Sequence, residues 1–409
     1  MSDKQRKIFK IIVIVLVLLL VAELVYFGIR YYLNRKDSVF YTVVNSAVVK
    51  DKNNYIGVGF SDYYNSDFND YNDGLNKATI FVNEKGKLVN EIMLDLGYNS
   101  YFNDIVKLDD GYVAVGSVQM TKEQKEDKLS EGLIVKYDKD FNIVWRKNLG
   151  ILGKTELLKV KLNKNKDIVV VGSSVYGEGY VGNHTTGGGI LLKYNKNGKE
   201  LLRVNNGGPY NGRFNDVLIE DDGYVVVGLG KANSGIIIKY DKKGKKLWSG
   251  SYGYTDNNGI NSIVKLGNNY ITATTKVINP KDLSNYSAAL VKFNKSGEKI
   301  DDVKYSSSDI TYFKDIVLDK DNNIIVCGHT GKQVNNVLES DAVIVKYDKD
   351  LYEEESNILK GNNNDFYNKV YLSDENVLAL GYSNSDLKEI DSNGYDYFPI
   401  IKNYNDDLK

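Results

Sequence analysis

One cysteine, two histidines and three prolines in 409 residues set the first limits. Cys327 alone cannot close a disulfide within the chain, and a cysteine-based metal site is excluded. It lies in the apolar run Ile324–Gly328, where it is expected as a small buried hydrophobe, because a reactive thiol needs an accessible, electropositive setting. His184 and His329 fall in distant repeats of the chain, so they cannot share one metal or one catalytic triad. Clustered positive charge is scarce as well. Residues 1–36 carry seven Lys/Arg against Asp3 and Glu23, a surplus of five, so the total of -1 leaves the remainder at -6. A mildly acidic body argues against nucleic acid as a partner.

Only one long hydrophobic run is present, Ile11–Ile29. At about 1.5 Å per residue its 19 positions span roughly 28 Å as a helix, close to a bilayer core of about 30 Å. A transmembrane helix over 11–29 is therefore expected, with a short tail at 1–10 and a tether at 30–37. Glu23, the only charge inside, can reach toward the interface. The run is too long for a signal-peptide core of about 7–15 residues, and no small-x-small cleavage site follows. Lys4, Arg6, Lys7 and Lys10 outnumber Arg30, Arg35 and Lys36. The expected orientation keeps the N-terminus in the cytoplasm and the bulk of the chain outside.

What the sequence has in abundance is repetition. Phe102–Gly116 (FNDIVKLDDGYVAVG) returns as Phe214–Gly228 (FNDVLIEDDGYVVVG), and Leu133–Trp145 (LIVKYDKDFNIVW) returns as Ile236–Trp248 (IIIKYDKKGKKLW). Aligning the residue after the second strand gives Gly59, Gly116, Gly172, Gly228, Thr274, Gly328 and Gly381, at intervals of 57, 56, 56, 46, 54 and 53 residues. Short runs rich in Val, Ile and Tyr, separated by Asp/Asn/Lys/Gly turns, are hairpin signals. Four antiparallel strands every 50-odd residues predict an all-β fold over 38–409, a seven-bladed β-propeller of four-stranded blades. The last unit stops after its third strand. The apolar stretch Ser38–Val44 is expected to supply the missing outer strand and so close the ring.

The runs DDGYVAVGS and IVKYDKxGxxxW resemble bacterial extracytoplasmic β-propeller repeats, the group often called SBBP repeats, over residues 39–409. Trp occurs at only two of the motif positions, Trp145 and Trp248, and Phe141 and Leu351 stand where the family turn has Gly. The resemblance implies a secreted or surface-anchored bacterial propeller, and the apolar run at 11–29 makes a membrane anchor the expected form. It brings no catalytic residues and no cofactor with it.

Tight turns join strands one to two and three to four. The opposite face collects the longer loops and the links between blades, and loops on a rigid scaffold are where binding tends to sit. On that face Tyr98, Tyr101, Tyr210, Arg213, Tyr252 and Tyr254 are candidates for a wet, adaptable recognition surface; packing between blades is the competing role. Asp104, Asp216 and Asp315 recur at the start of the innermost strand, near the expected channel mouth. They fit either a carboxylate ring for chemistry or hydrogen bonding to the next blade's backbone or to the repeated Lys136, Lys193, Lys239, Lys292, Lys346 and Lys402. The run beginning at Asp138 has Ile143 and Leu149 where a calcium loop needs Gly and Glu, so it reads as a hairpin turn. No metal or cofactor is expected.

The functional expectation is a membrane-anchored binding or scaffolding module for a protein, a peptide or a cell-envelope polymer. The alternative is a carboxylate-based glycan hydrolase or lyase built on the three aspartates, which needs two carboxyls about 5–10 Å apart.

Overall fold

The structure is a computed structural model describing residues 39–51, 54–64, 76–85, 87–119, 130–149, 154–176, 186–206, 212–279, 282–305, 310–334, 337–361, 363–373, 376–384, 398–405 and 407–408. The expected span at 11–29, with its tail and tether, lies outside these residues. Among the described residues no helix is long and apolar enough to cross a membrane.

Seven antiparallel sheets follow one another along the chain, covering 39–94, 100–149, 155–206, 213–254, 255–304, 310–359 and 365–404. Within blade 2 the order is Ser100–Leu108, Gly111–Val118, Glu131–Asp138 and Ile143–Leu149, from the innermost strand outward. The same order recurs in every blade, and among the described residues blade 7 has three strands. Each blade packs face to face on its neighbours. Val58 and Ile80 of blade 1 meet Phe102, Ala114 and Val135 of blade 2, and Val115 and Ile134 on the other face of blade 2 meet Leu157 and Val170 of blade 3. A central strand is therefore covered on both faces, and all eight residues of Gly111–Val118 are buried. That is why central strands read as continuous apolar runs rather than as alternation. Each large side chain so buried contributes about 1.5–3 kcal/mol.

In four of the seven blades, 2, 4, 6 and 7, the repeated aromatics of the sequence motif form one pair. Phe102–Tyr137, Phe214–Tyr240, Phe313–Tyr347 and Tyr367–Tyr404 meet near edge-to-face with centroids 6.2–6.4 Å apart, a favoured ring geometry. The repeated Asp closes the turn, as Asp138 Oδ1 accepts the N–H groups of Asp140 and Asn142. Phe141 and Leu351 occupy the left-handed turn position (φ 65° and 69°) where other blades use Gly198, Gly244 and Gly297. Their side chains explain the exception: Phe141 stacks on Tyr112 at 5.4 Å, and Leu351 is buried in the core between blades 5 and 6.

One expectation needs correction. Residues 39–44 do not complete blade 7. They begin the innermost strand of blade 1, Val39–Asp51, which pairs along its length with Asn54–Tyr64. The ring closes by packing of that strand on blade 7, where Asn368 Nδ2 donates to the Val44 carbonyl and the Tyr371 hydroxyl donates to that of Ala47. The short interval of 46 residues also has a structural cause. In blade 4 a single 3-10 turn, Lys231–Asn233, joins the middle strands, and Lys246–Leu266 runs without a break from the outer edge of blade 4 into the centre of blade 5.

Candidate functional site

Every innermost strand carries a β-bulge at the same level, which places one extra residue against its partner. In blade 2, Phe102 pairs with Gly116 and Asp104 with Val115, leaving Asn103 extra. The bulge pushes the preceding carbonyl against the neighbouring strand. A Cβ on Gly116 would lie 1.8 Å from the Tyr101 oxygen, and Gly59, Gly172, Gly228, Gly328 and Gly381 are in the same position, 1.7–2.0 Å from the corresponding oxygens. Blade 5 solves the problem from the other strand. Gly259, at φ 75°, turns its carbonyl so that the Thr274 hydroxyl can donate to it at 2.9 Å.

The extra residue is Asn in five blades, and its amide spans to the next blade. Asn45, Asn103, Asn215, Asn261 and Asn368 donate to the carbonyls of Phe102, Leu157, Ile260, Phe313 and Val44 at 2.7–3.2 Å. The next position around the ring is Ser46, Asp104, Lys159, Asp216, Ser262, Asp315 and Lys369. Asp104, Asp216 and Asp315 are thus midway along their strands and at most 3% exposed, not at the channel mouth. Each accepts a backbone N–H from the following blade: Val160 at 2.9 Å, Ile263 at 3.1 Å and Val370 at 3.3 Å. The hydroxyl of Ser262, with one proton to share, lies 2.9 Å from Asp216 and 2.8 Å from Asp315.

Lysines of the innermost strands balance these charges. Lys161 is 2.7 Å from Asp216, Lys159 of blade 3 reaches across to Asp315 of blade 6 at 3.5 Å, and Lys369 lies 3.6 and 3.8 Å from Asp104 and Asp315. Burial works against ionisation of Asp216, but Lys161, Lys159 and Lys369 prevail and hold its carboxyl at about 2. Asp315 is likewise lowered, with burial opposed by Lys159 and Lys369. Neither carboxyl is poised as a general acid, because a proton donor near neutral pH needs a raised pKa. Four of the six repeated third-strand lysines are paired elsewhere. Lys136 pairs with Asp110, Lys193 with Asp167, Lys239 with Glu220 and Asp222, and Lys346 with Asp319, all beside the tight turns of the opposite face. The axial lysines and Ser262 escape a reading by motif. Aligning the residue after each bulge would have found them.

One step toward the loop face, the ring changes character. Beside Tyr101 is a cleft of about 500 Å³ where blades 1, 2 and 3 converge, walled by Phe60, Asn45, Asn99, Asn103, Lys154 and Glu156. Phe60 and Tyr101 meet edge-to-face at 5.0 Å. The Tyr101 oxygen accepts from Asn76 Nδ2 at 2.8 Å, and among the described residues its own proton has no acceptor. Asn45 and Asn103 use Nδ2 on the next blade, which fixes their amide oxygens in place. Among the described residues Lys154 and Glu156 form no ion pair.

The other candidates disperse. Tyr98 lines a separate recess of about 250 Å³ with Asp95, Arg146 and Asn148. Arg213 opens the innermost strand of blade 4, paired through its backbone with Leu229. Tyr252 is turned inward, 4% exposed, and donates to Asp302 at 3.0 Å. Burial and the Asp302 charge raise its pKa, while Lys299, Lys276 and Tyr252 overcome burial to hold Asp302 at about 2. Tyr254 pairs through its backbone with Ser234, and Tyr210 lies outside the described residues. His329 is buried between Tyr312 and Phe366, and burial pushes its pKa well below the usual range. Cys327 is fully buried, its thiol pKa raised by that burial.

The architecture defines a seven-bladed β-propeller with a plugged axis and a polar cleft at one mouth. Neither the models of known protein families nor the curated proteins contain a match to the sequence. Among solved structures, Drosophila Semaphorin 2a is similar at 9% identity and TM-score 0.46, covering 84% of this chain and 72% of that one. A GH43 endo-arabinanase from Bacillus licheniformis (12% identity, TM-score 0.35) is covered over 97% of its length by 78% of this chain. A PL25 ulvan lyase (10%, TM-score 0.37) is covered over 81% by 85% of this chain. These likenesses concern the fold alone.

Proposed function

We propose that this protein is a membrane-anchored, extracytoplasmic binding or scaffolding module. Its ligand, a protein, peptide or cell-envelope polymer, is taken on the loop face at the axial mouth. The observation that carries this reading is the cleft beside Tyr101, of a size that suits a small ligand or a chain segment, on a rigid scaffold and lined by polar groups that keep hydrogen-bonding capacity unused among the described residues. The apolar run at 11–29 would hold that face outside a bacterial membrane. The aspartate-based hydrolase has less support, because the axial carboxylates are committed to backbone N–H groups and to lysines.

The test is a crosslinked capture from the native membrane, using the full-length protein beside its Tyr101→Ala variant. A partner or polymer enriched by the first and lost by the second is the expected result. Enrichment that ignores Tyr101 would place the binding surface elsewhere.

A further inference from the structure

Two features of the axial mouth point to the chemistry of its ligand. First, the cleft is built from groups that handle neutral polar matter. It offers the oxygens of Asn45 and Asn103 as acceptors, the Tyr101 hydroxyl as donor, and one ammonium and one carboxylate, Lys154 and Glu156, whose charges cancel. Neighbouring donors and acceptors in a small space match vicinal hydroxyls, each of which both gives and takes a hydrogen bond. Phe60 and Tyr101, edge-to-face at 5.0 Å, set aromatic surface beside these polar groups, and aromatic surface suits the C–H side of a sugar ring.

Second, aromatic rings continue around the mouth on one side. Tyr286 of blade 5, Tyr312 and His329 of blade 6, and Phe366 and Tyr382 of blade 7 form an unbroken row with centroid spacings of 5.9, 4.8, 4.9 and 4.8 Å. Blade 1 follows with Phe60 and blade 2 with Tyr101. At the two positions that Tyr312 and His329 hold in blade 6, blades 3 and 4 carry Glu156, Ser173, Arg213 and Leu229, and blade 5 carries Gly259 and Thr275, its ring Tyr286 coming from a middle strand. The rings therefore make a crescent, not a full circle. Burial keeps His329 neutral, so the rings themselves bear no charge at neutral pH, and Lys314 is a single cation beside them, 5.8 Å from the Tyr312 centroid.

We infer that the axial mouth binds an uncharged oligosaccharide chain, with its end in the Tyr101 cleft and further sugars along the aromatic crescent. The inference rests on the proposed reading of this face as the binding surface. A chain rather than a single sugar is implied because the crescent extends over three blades, 5 to 7, beyond the cleft's own walls. An acidic polymer is disfavoured because the cleft's single ammonium is offset by Glu156.

The experiment displays the full-length protein in detergent to an array of neutral, uronate-bearing and phosphate-bearing oligosaccharides of two to six units. Calorimetry then follows on the neutral series. Affinity is expected to rise with chain length, to change less than twofold between 0.05 and 0.5 M salt (screening has little to act on with an uncharged ligand), and to fall at least tenfold in Tyr101→Ala and Phe60→Ala. Tyr101→Phe keeps the ring and serves as the folding control; it should retain part of the affinity. Binding confined to charged chains, or abolished by salt, overturns the inference. So does the absence of binding to any array member. If the Tyr101-dependent capture of a protein survives in that last case, the binding-face reading stands without the sugar; if capture also ignores Tyr101, both fall.

Discussion

Two rings of residues line the axis three positions apart on the same strands, and they solve opposite problems. The buried ring of Ser46, Asp104, Lys159, Asp216, Ser262, Asp315 and Lys369 satisfies itself: carboxylates meet lysines, hydroxyls and the next blade's N–H groups. The mouth ring of Val43, Tyr101, Glu156, Arg213, Gly259, Tyr312 and Phe366 changes from aromatic to charged around the circle, and among the described residues its cleft keeps polar capacity unused. The geometry is the same in both because the bulge repeats. The contrast teaches that features repeated with the blade serve closure, while departures from the repeat are where selective binding can be placed.

The largest effect should come from the bulge that separates the rings. Gly116→Ala sets a methyl group 1.8 Å from the Tyr101 carbonyl, which no rotamer can relieve, so the bulge itself must break. A loss beyond about 3 kcal/mol is expected, read by chemical denaturation of the full chain. Gly253→Ala, where a Cβ meets nothing within 4 Å, is the control and should be nearly neutral. Equal losses at the two glycines would remove the bulge from the account. Next in size is Lys369→Met, which leaves Asp104 and Asp315 buried without their shared cation. Breaking a buried pair from one side costs about 3–5 kcal/mol, and Lys159, which stays beside Asp315, keeps this loss at the lower end, about 3 kcal/mol. Burial disfavours the Lys369 charge, yet Asp104 and Asp315 raise its pKa well above normal, so the loss should be present at neutral pH.

Much of this was legible in the chain. Seven blades follow from the Gly spacing because every bulge demands a residue without a Cβ opposite it, and the one exception, Thr274, is compensated by Gly259. The aromatic pairs and Asx turns are visible as the FND and KYD motifs. Ring closure is not, because the first innermost strand reads Val44-Asn45-Ser46 where its counterparts read Phe102-Asn103-Asp104 or Phe214-Asn215-Asp216. Only the Asn survives, and the Phe and Asp that mark an innermost strand are missing. The axial network is hidden for a related reason: one structural position holds Ser, Asp and Lys in turn, so no motif repeats although the geometry does. Tyr252 shows the limit for the mouth. A loop-face tyrosine can be drawn inward by an acid such as Asp302 that lies fifty residues away in sequence.

The same chemical change made in both rings gives the sharpest comparison. Asp216→Asn removes a carboxylate whose pKa is held at about 2, against an unfolded value near 4. A depressed carboxylate stabilises the fold above its unfolded pKa, and that contribution is lost as pH falls through the folded one. The wild-type protein should therefore lose about 2 kcal/mol from this group between pH 4 and pH 2, and Asp216→Asn should lose it already at pH 7 and show a shallower acid limb. Lys161, left behind, is one-third exposed and can regain water, which keeps the cost to that order. Glu156→Gln in the mouth ring should change stability by less than about 0.5 kcal/mol at pH 7, since among the described residues no lysine or backbone N–H depends on its carboxylate. Denaturation curves for both variants from pH 2 to 7 make the measurement. A destabilisation at Glu156 matching that at Asp216 would mean the mouth is a second structural ring, and its open polar groups could no longer be assigned to a ligand.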